Sequence, residues 1–528
     1  MNSNKILIII ISILTASFLS NAQEEPQSKP LELPNFIIEG REQLNIQSGI
    51  KQYPEKPTLL QKSDLDSINS IEKQQSLLLP QKPVPDKIIS YNPASGFLRG
   101  GFGMFVTPVI EGGYGTNLDG YNIFVNGGLE YSNGHIDNSG YFRGFLKASS
   151  EYQAPEKFFI FGGSKTTTSL LLQNRSFELY SMQKPLSRSL TDFDLNIVSK
   201  GNYEGYDFRA GAGFKTMQLS QDDSKAFDNN FTGFLEGGQS SGSLRIGGKA
   251  LIDLHSVRGD GVTFLEISGN LKYFYQNLIF YGKTGYQHGI SSKDEARPAF
   301  LLNIGADYLL NHLFTIRAGF INSLGNSAFY DLAIFNPYIS DSAVVDFELF
   351  QKINILASYH PSERLNFSGG VRYTISGRKP YFINSDTGTF SVSYDGARSL
   401  ELMLDGYWRI SESDNLTLES GYDLSYLNND NRITYTPPFH LTANYRRNWY
   451  SSISSVINVN YIADRFTDKE NNKELAGFIL LNLRAEYIFQ SNLLFYIDLK
   501  NITNSEIIIW NGYKERGIFA GLGAMWRL

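Results

Sequence analysis

From residue 96 onward, apolar and polar side chains alternate with a period of two, the pattern of β-strands whose two faces meet different surroundings. The last strand is the clearest example, with an apolar face made of Ile518, Ala520, Leu522, Ala524, Trp526 and Leu528. The same alternation occurs at 364–375, 415–426 and 476–488. These predicted strands have about 10–14 residues, whereas strands of soluble sheets usually have about five or six. Because such lengths suit a tilted crossing of a bilayer, the pattern favours a membrane β-barrel over a soluble β-sandwich.

The connections between the predicted strands alternate between short and long along most of the chain. Short turns are predicted near 118–120, 153–156, 200–202, 239–241, 276–277, 311–312, 361–363, 411–414, 447–449 and 490–492. Longer polar segments are predicted at 169–187, 217–225, 290–297, 325–342, 377–397, 429–437, 465–475 and 504–515. Outer-membrane barrels have this asymmetry, with short periplasmic turns and long external loops.

Counting strands from Leu98 to Leu528 predicts an all-β transmembrane antiparallel barrel of about 22 strands, with 386–395 as a ribbon inside an external loop. Counts of 20 or 24 remain open. An even count places both chain ends on the periplasmic side. Trp408, Trp449 and Trp526 would then lie near the periplasmic interface, where aromatic belts form.

The first 95 residues differ in composition from the rest. Residues 1–22 have the features of a signal peptide: Lys5, an apolar core at 6–14, and small residues before a cleavage site. Residues 23–95 hold nine of the 18 prolines, which forbids a sheet and breaks any long helix. We therefore expect a signal peptide (1–22), a Pro-rich segment that is periplasmic or inserted in the lumen (23–95), and a barrel (96–528).

Composition and charge narrow the classes of function. The 528-residue chain has no cysteine, which excludes disulfides and thiolate metal sites, and its net charge of −6 argues against nucleic-acid binding. The six histidines are scattered without metal-ligand spacing. Charged residues predicted to line the lumen carry both signs: Glu401, Asp405, Arg409, Glu419, Arg484, Glu486, Asp498 and Lys500. We predict a protein that is not an enzyme, with no catalytic residue, no cofactor and no metal site.

Residues 95–528 resemble the barrel of TonB-dependent outer-membrane receptors. The matching stretches are 98–115, 435–441, 478–485, 500–504 and the closing strand 517–528. The resemblance implies a location in the outer membrane of a Gram-negative cell, a role in solute transport, and contact with outer-membrane lipid. The chain end, with Gly523, Trp526 and Leu528, also resembles the signal read by the barrel-assembly machinery, although a terminal Leu replaces the usual aromatic residue.

The N-terminal segment departs from that family. Its 73 residues are too few and too poor in glycine for the folded plug domain of those receptors. Phe36, Ile37 and Ile38 resemble the short apolar segment that contacts TonB, so TonB, a separate plug or another periplasmic partner are the candidate partners.

Three functions follow as hypotheses. We favour a transport-related barrel whose lumen is closed by 23–95, by the 377–397 loop or by a partner protein. The alternatives are a passive porin-like channel, and a structural or assembly anchor that binds a periplasmic partner through residues 23–95.

Overall fold

The computed structural model describes residues 96–528 except for 119, 158–161, 223, 294, 327, 386 and 387. These residues form a closed antiparallel barrel of 22 strands, which confirms the predicted fold and strand number. In chain order the strands are β1 (Gly96–Gly103), β2 (Thr107–Leu118), β3 (Tyr121–Ser132), β4 (Tyr141–Gln153), β5 (Lys165–Glu178), β6 (Ser187–Tyr203), β7 (Tyr206–Gln221), β8 (Ser224–Ser241), β9 (Leu244–Val257), β10 (Asp260–Tyr275), β11 (Leu278–Ile290), β12 (Ala296–Asn311), β13 (Phe314–Gly325), β14 (Glu348–Ser362), β15 (Leu365–Asn384), β16 (Phe390–Arg409), β17 (Asp414–Leu427), β18 (Phe439–Tyr450), β19 (Ile453–Ile462), β20 (Arg465–Phe466), β21 (Glu474–Leu475), β22 (Phe478–Gln490), β23 (Leu493–Lys500), β24 (Ile508–Trp510), β25 (Tyr513–Lys514) and β26 (Phe519–Arg527). Helix α1 (Phe329–Phe335) follows β13, and the pairs β20–β21 and β24–β25 are small hairpins outside the barrel sheet.

The first and last strands close the barrel. β1 pairs with β26 in antiparallel register, with Leu98 opposite Trp526. Closure satisfies the backbone hydrogen bonds that an open sheet would leave at its two edges. Gly523 lies at this seam, where a Cβ atom would come within 2.4 Å of the Tyr496 ring, so the position requires glycine.

The two ends of the barrel differ. At the short-turn end β6 and β7 are joined by Glu204 and Gly205, which both have positive φ (50° and 86°) as a two-residue type I′ hairpin requires. At the opposite, long-loop end the connections include 428–438, 463–477 and 501–518. The Leu528 amide donates to the Gly96 carbonyl at 2.8 Å. The start of the first strand and the end of the last strand therefore both lie at the short-turn end.

Some polar segments that were expected to be loops are strands. β7 and β8 continue through most of the predicted loop 217–225, and β15 and β16 extend far into 377–397. Polar sequence does not end a strand here, because a hydrogen-bonded ladder can continue in water beyond the apolar belt. The predicted ribbon near 386–395 is the outer part of the β15–β16 hairpin, where Lys379 pairs with Asp395 in register.

The outer face of the barrel is apolar and exposed, with Ile267 71 % and Leu522 67 % accessible. Aromatic side chains ring the short-turn end on this face: Tyr121, Tyr203, Tyr206, Tyr275, Tyr308, Tyr359, Trp408, Trp449, Tyr450, Tyr487, Phe489 and Trp526 are exposed within a few residues of a turn or the chain end. Such girdles lie at membrane–water interfaces. Among the described residues, no helix has the length and apolar character needed to span a bilayer.

Candidate functional site

The connection between β13 and β14 folds into the barrel instead of away from it. We call residues 328–347 the cap. The Tyr330 amide donates to Asp228 Oδ2 at 2.8 Å. Asp228 faces the lumen, because its neighbour Phe227 is exposed on the outer face. Helix α1 therefore lies against the inner wall of the barrel at its long-loop end.

Two arginines hold the cap against this wall. Arg188 on β6 is 1 % exposed, and its Nη1 donates to the carbonyls of Pro337 (3.0 Å) and Ile339 (2.7 Å). Arg258, in the β9–β10 turn, donates to the carbonyls of Asp341 (2.7 Å) and Ala343 (3.0 Å). The two guanidinium groups thus satisfy cap carbonyls that have no place in a β-ladder.

The other side of the cap reaches β15 and β16. The Ser340 amide donates to the Phe390 carbonyl (2.7 Å), and the Phe390 amide donates to the Tyr338 carbonyl (3.0 Å). Asp346 forms an ion pair with Arg378 on β15 at 2.5 Å. Because β6 and β16 are ten strands apart in a 22-stranded barrel, the cap spans nearly the full width of the lumen.

Aromatic contacts complete the closure of the long-loop end. The rings of Tyr338 and Tyr513 stack with centroids 3.5 Å apart, and Tyr513 Oη donates to the Gly388 carbonyl at 2.7 Å. Tyr180, in the β5–β6 loop, donates to the Lys514 carbonyl at 2.8 Å. Burial raises the pKa of Tyr180 to about 12, so this phenol remains a neutral donor at physiological pH. The loops after β5, β15 and β23 therefore meet one another and the cap.

One histidine has a structural setting that the sequence did not indicate. His255 is buried between two carboxylates, with Nε2 3.0 Å from Asp253 Oδ1 and Nδ1 3.6 Å from Asp228 Oδ1. These carboxylates also accept hydrogen bonds from Asn326 and Tyr330 at the start of the cap region. Across the described residues, no group of three His, Asp or Glu side chains is arranged to hold a metal ion. The cluster therefore anchors the cap.

The charged residues predicted for the lumen are in separate local pairs and do not form one site. Arg484 bridges Glu486 (2.7 Å) and Asp498 (3.2 Å). Glu401 pairs with Arg372 at 2.7 Å. Arg409 lies 3.9 Å from Glu412, and Lys500 lies over the Phe519 ring. Asp405 and Glu419 are register partners on neighbouring strands.

A recess of about 810 Å³ opens into the lumen near the short-turn end of β5–β12. Its basic lining residues are Lys165, Lys200, Arg209, Arg245, Lys272 and Lys283, and its acidic lining residues are Asp207 and Glu236. Sequence reasoning missed this set, because residues far apart in the chain become neighbours only through strand register.

The residues predicted for assembly and for TonB contact have different outcomes. Trp526 and Leu528 are exposed on the outer face at the short-turn end, and Gly523 packs against Tyr496. Their role as an assembly signal stays a prediction. Phe36, Ile37 and Ile38 lie outside the described residues, as do the predicted signal peptide and the whole Pro-rich segment.

No protein-family model and no curated protein matches this sequence. Solved structures do match. The FrpB iron transporter from Neisseria meningitidis aligns with a TM-score of 0.64 at 10 % identity, covering 83 % of this chain and 82 % of that chain. The siderophore receptor PiuA from Acinetobacter baumannii aligns with a TM-score of 0.62 at 11 % identity, covering 83 % and 82 %. The copper transporter OprC aligns with a TM-score of 0.62 at 10 % identity, covering 82 % and 80 %.

The class of fold is therefore defined. The neighbours are TonB-dependent receptors, and this chain has their 22-stranded barrel fold, as the sequence resemblance implied. At such low identity the likeness shows the fold alone, and the ligands named for those proteins are theirs.

Proposed function

We propose that this protein is an outer-membrane barrel that moves a solute through its lumen, and that opening requires the cap and the loops to separate. The observation that carries the proposal is a charged lumen shut at one end by the barrel's own cap, inside an apolar outer face with an aromatic girdle. A 22-stranded barrel is too wide for ordinary lining side chains to fill. A device that closes it is needed wherever leakage across a membrane would be harmful.

The orientation follows from the barrel ends. Short turns face the periplasm and long loops face the exterior in outer-membrane barrels. Gly96 then lies at the periplasmic end, so the Pro-rich segment joins the barrel on the side where TonB, a separate plug or another periplasmic partner can bind it. Contact through Phe36, Ile37 and Ile38, and recognition of the last strand by the assembly machinery, belong to this proposal.

The cap favours gated transport over a passive porin-like channel, because a permanently open pore has no use for a closed mouth. The neighbours named for iron, siderophore and copper support transport in general, and the solute of this barrel stays open. An anchor role for residues 23–95 is the competing hypothesis that the experiment has to separate.

A disulfide across the mouth tests the proposal. A Cβ atom on Gly512, which has a φ of 89°, would lie 2.9 Å from Ser181 Cβ. Disulfides have Cβ atoms about 3.5–4.5 Å apart, so the β24–β25 turn has to move outward by roughly 1 Å for the bond to form. The chain has no native cysteine, so Ser181→Cys with Gly512→Cys can form only one bond. We expect efflux of small dyes from proteoliposomes to be slow with the natural protein, absent with the oxidised pair, and restored by a reductant.

The single variant Ser181→Cys is the matched control and is expected to behave as the natural protein does. A second control replaces residues 326–347 by a short turn and shows what the unobstructed lumen passes. If the variant passes no dye even after residues 23–92 are deleted as well, the lumen is not a pathway, and the anchor hypothesis replaces transport. If the oxidised pair passes dye as fast as the reduced pair, the mouth is not the gate.

A further inference from the structure

Strand register places one continuous row of charged side chains across five neighbouring strands of the lumen wall. Lys165 lies opposite Lys200, and Lys200 lies opposite Arg209. Arg209 is in turn opposite Glu236, which is opposite Lys249. We call these five residues the basic row; it has four cations and one anion.

Like charges placed directly opposite each other destabilise a sheet. The basic row contains two such pairs, and a third lies beside it, where Arg245 is opposite Lys272. Part of the charge is compensated: Lys165 contacts Glu151 at 2.5 Å, and Arg245 contacts Asp207 at 3.1 Å. Arg209 also lies 3.8 Å from Glu236, and Lys283 lies 2.6 Å from Glu266. Across the described residues, Lys200 and Lys272 have no ion pair with a carboxylate.

Other parts of the same wall use register to satisfy their polar groups. Arg317 faces Asp307 and bonds to it at 2.6 Å. On β18, β19 and β22 an amide row is linked by hydrogen bonds: Asn482 donates to Asn458 (2.9 Å), and Asn458 donates to Asn444 (2.7 Å). Register therefore pairs complementary groups in these parts of the lumen, in contrast to the like-charge cation pairs of the basic row.

The far wall has the opposite sign. On β16 and β17, Glu401 lies opposite Asp423 and Asp405 lies opposite Glu419. These strands are about ten positions from β6 and β7 around the closed barrel, so the two groups face each other across the lumen. An anion in the lumen is thus attracted to the β5–β10 wall and repelled from the β16–β17 wall.

We propose that the recess at the basic row binds a small oligoanion, a solute with two or more phosphate or carboxylate groups. Its volume of about 810 Å³ is within the usual range of small-molecule sites. Multiple charge-assisted hydrogen bonds to Lys200, Lys272 and Arg209 would replace repulsion with attraction. The proposal concerns binding alone, and it holds whether or not the barrel conducts.

Isothermal titration calorimetry on the full chain in detergent at low salt tests this site. The probes are tripolyphosphate and propane-1,2,3-tricarboxylate, which separate phosphate from carboxylate recognition. Lys200→Gln combined with Lys272→Gln is expected to weaken binding by about tenfold or more. The matched control is Lys352→Gln, because Lys352 is a lumen-facing lysine on β14 that does not line the recess. Its affinity is expected to stay within about twofold of the natural protein.

Thermal unfolding of the unliganded proteins gives a readout that a purely structural role would not produce. Removing like-charge repulsion should raise the unfolding midpoint of the double variant, whereas loss of a structural contact would lower it. Heat-shifted gel mobility shows that each variant is a folded barrel.

The proposal is overturned if the natural protein binds neither probe, or if Lys352→Gln weakens binding as much as the double variant does. It is also overturned if binding appears only after residues 23–92 are deleted. That outcome would assign the recess to the chain's own acidic stretch 23–42, which has five acidic and two basic residues.

Discussion

At the scale of single residues, Arg188 joins the cap to the barrel wall. It is buried, donates to the Pro337 and Ile339 carbonyls, and also bonds Gln221. Arg188→Ala would leave two carbonyls without a donor, at about 1–3 kcal/mol for each one that stays dry. We expect backbone amides of the cap to exchange hydrogen at least about tenfold faster, as measured by mass spectrometry.

Arg143→Ala is the control for that measurement, because Arg143 is an exposed arginine on the lumen face of β4. It should leave exchange in the cap unchanged. Unchanged exchange in Arg188→Ala itself would mean that other contacts, such as those of Arg258, hold the cap without it.

Residues of this kind could not be found from the sequence. Arg188 contacts a carbonyl 151 positions away, and Tyr330 bonds Asp228 102 positions away. Alternation identifies which side chains face the lumen, but it does not say which of them meet a loop that folds inward. For the same reason, the scattered spacing of the histidines gave no sign that His255 is a buried partner of two carboxylates.

At the scale of elements, the cap should be dispensable for folding. Gly325 and Glu348 are direct partners in the β13–β14 ladder, so a Gly/Ser turn of about four residues can replace 326–347 and keep the hairpin. We expect this variant to form a heat-modifiable barrel with a lower unfolding midpoint and a much larger single-channel conductance than the natural protein.

Deleting 468–472 from the β20–β21 loop is the control, because this hairpin is outside the barrel sheet and outside the cap. Its conductance should match that of the natural protein. A cap-shortened variant that folds but conducts no better would show that other parts of the chain obstruct the lumen.

Elements were predicted well where alternation and turns agree, and less well where polarity alone was used. The turns at 118–120, 276–277 and 490–492 were expected where they occur. The turn expected at 200–202 is at Glu204-Gly205. Tyr203 and Tyr206 are the last register partners of β6 and β7, and the two residues between them adopt the positive φ that the turn requires. Register, which creates the basic row, is set by such turns, and a shift of a few residues changes every cross-strand pair.

At the scale of the whole molecule, an even strand count and the return of the last strand to the side of the first were predictable, because closing a fully antiparallel barrel requires them. An even number of antiparallel strands returns the chain to its starting side, and the Gly96–Leu528 contact fulfils this. Closure of the lumen was expected from 23–95, from the 377–397 loop or from a partner protein, but closure by residues 328–347 was not predictable. It depends on contacts among loops that are adjacent in space and distant in the sequence.

This arrangement allows a prediction about the Pro-rich segment. The chain before Gly96 joins the barrel at the short-turn end, whereas the cap closes the opposite end. Deleting residues 23–92 alone should therefore leave the single-channel conductance in planar bilayers low, and deleting them from the cap-shortened variant should show whether they obstruct the lumen as well.

If the double deletion conducts more than the cap-shortened barrel, residues 23–92 are a second barrier in series with the cap. If the two conductances are equal, the segment is a tether outside the lumen. A large conductance after deletion of 23–92 alone would contradict closure by the cap, because an intact cap cannot pass the current of an open 22-stranded barrel.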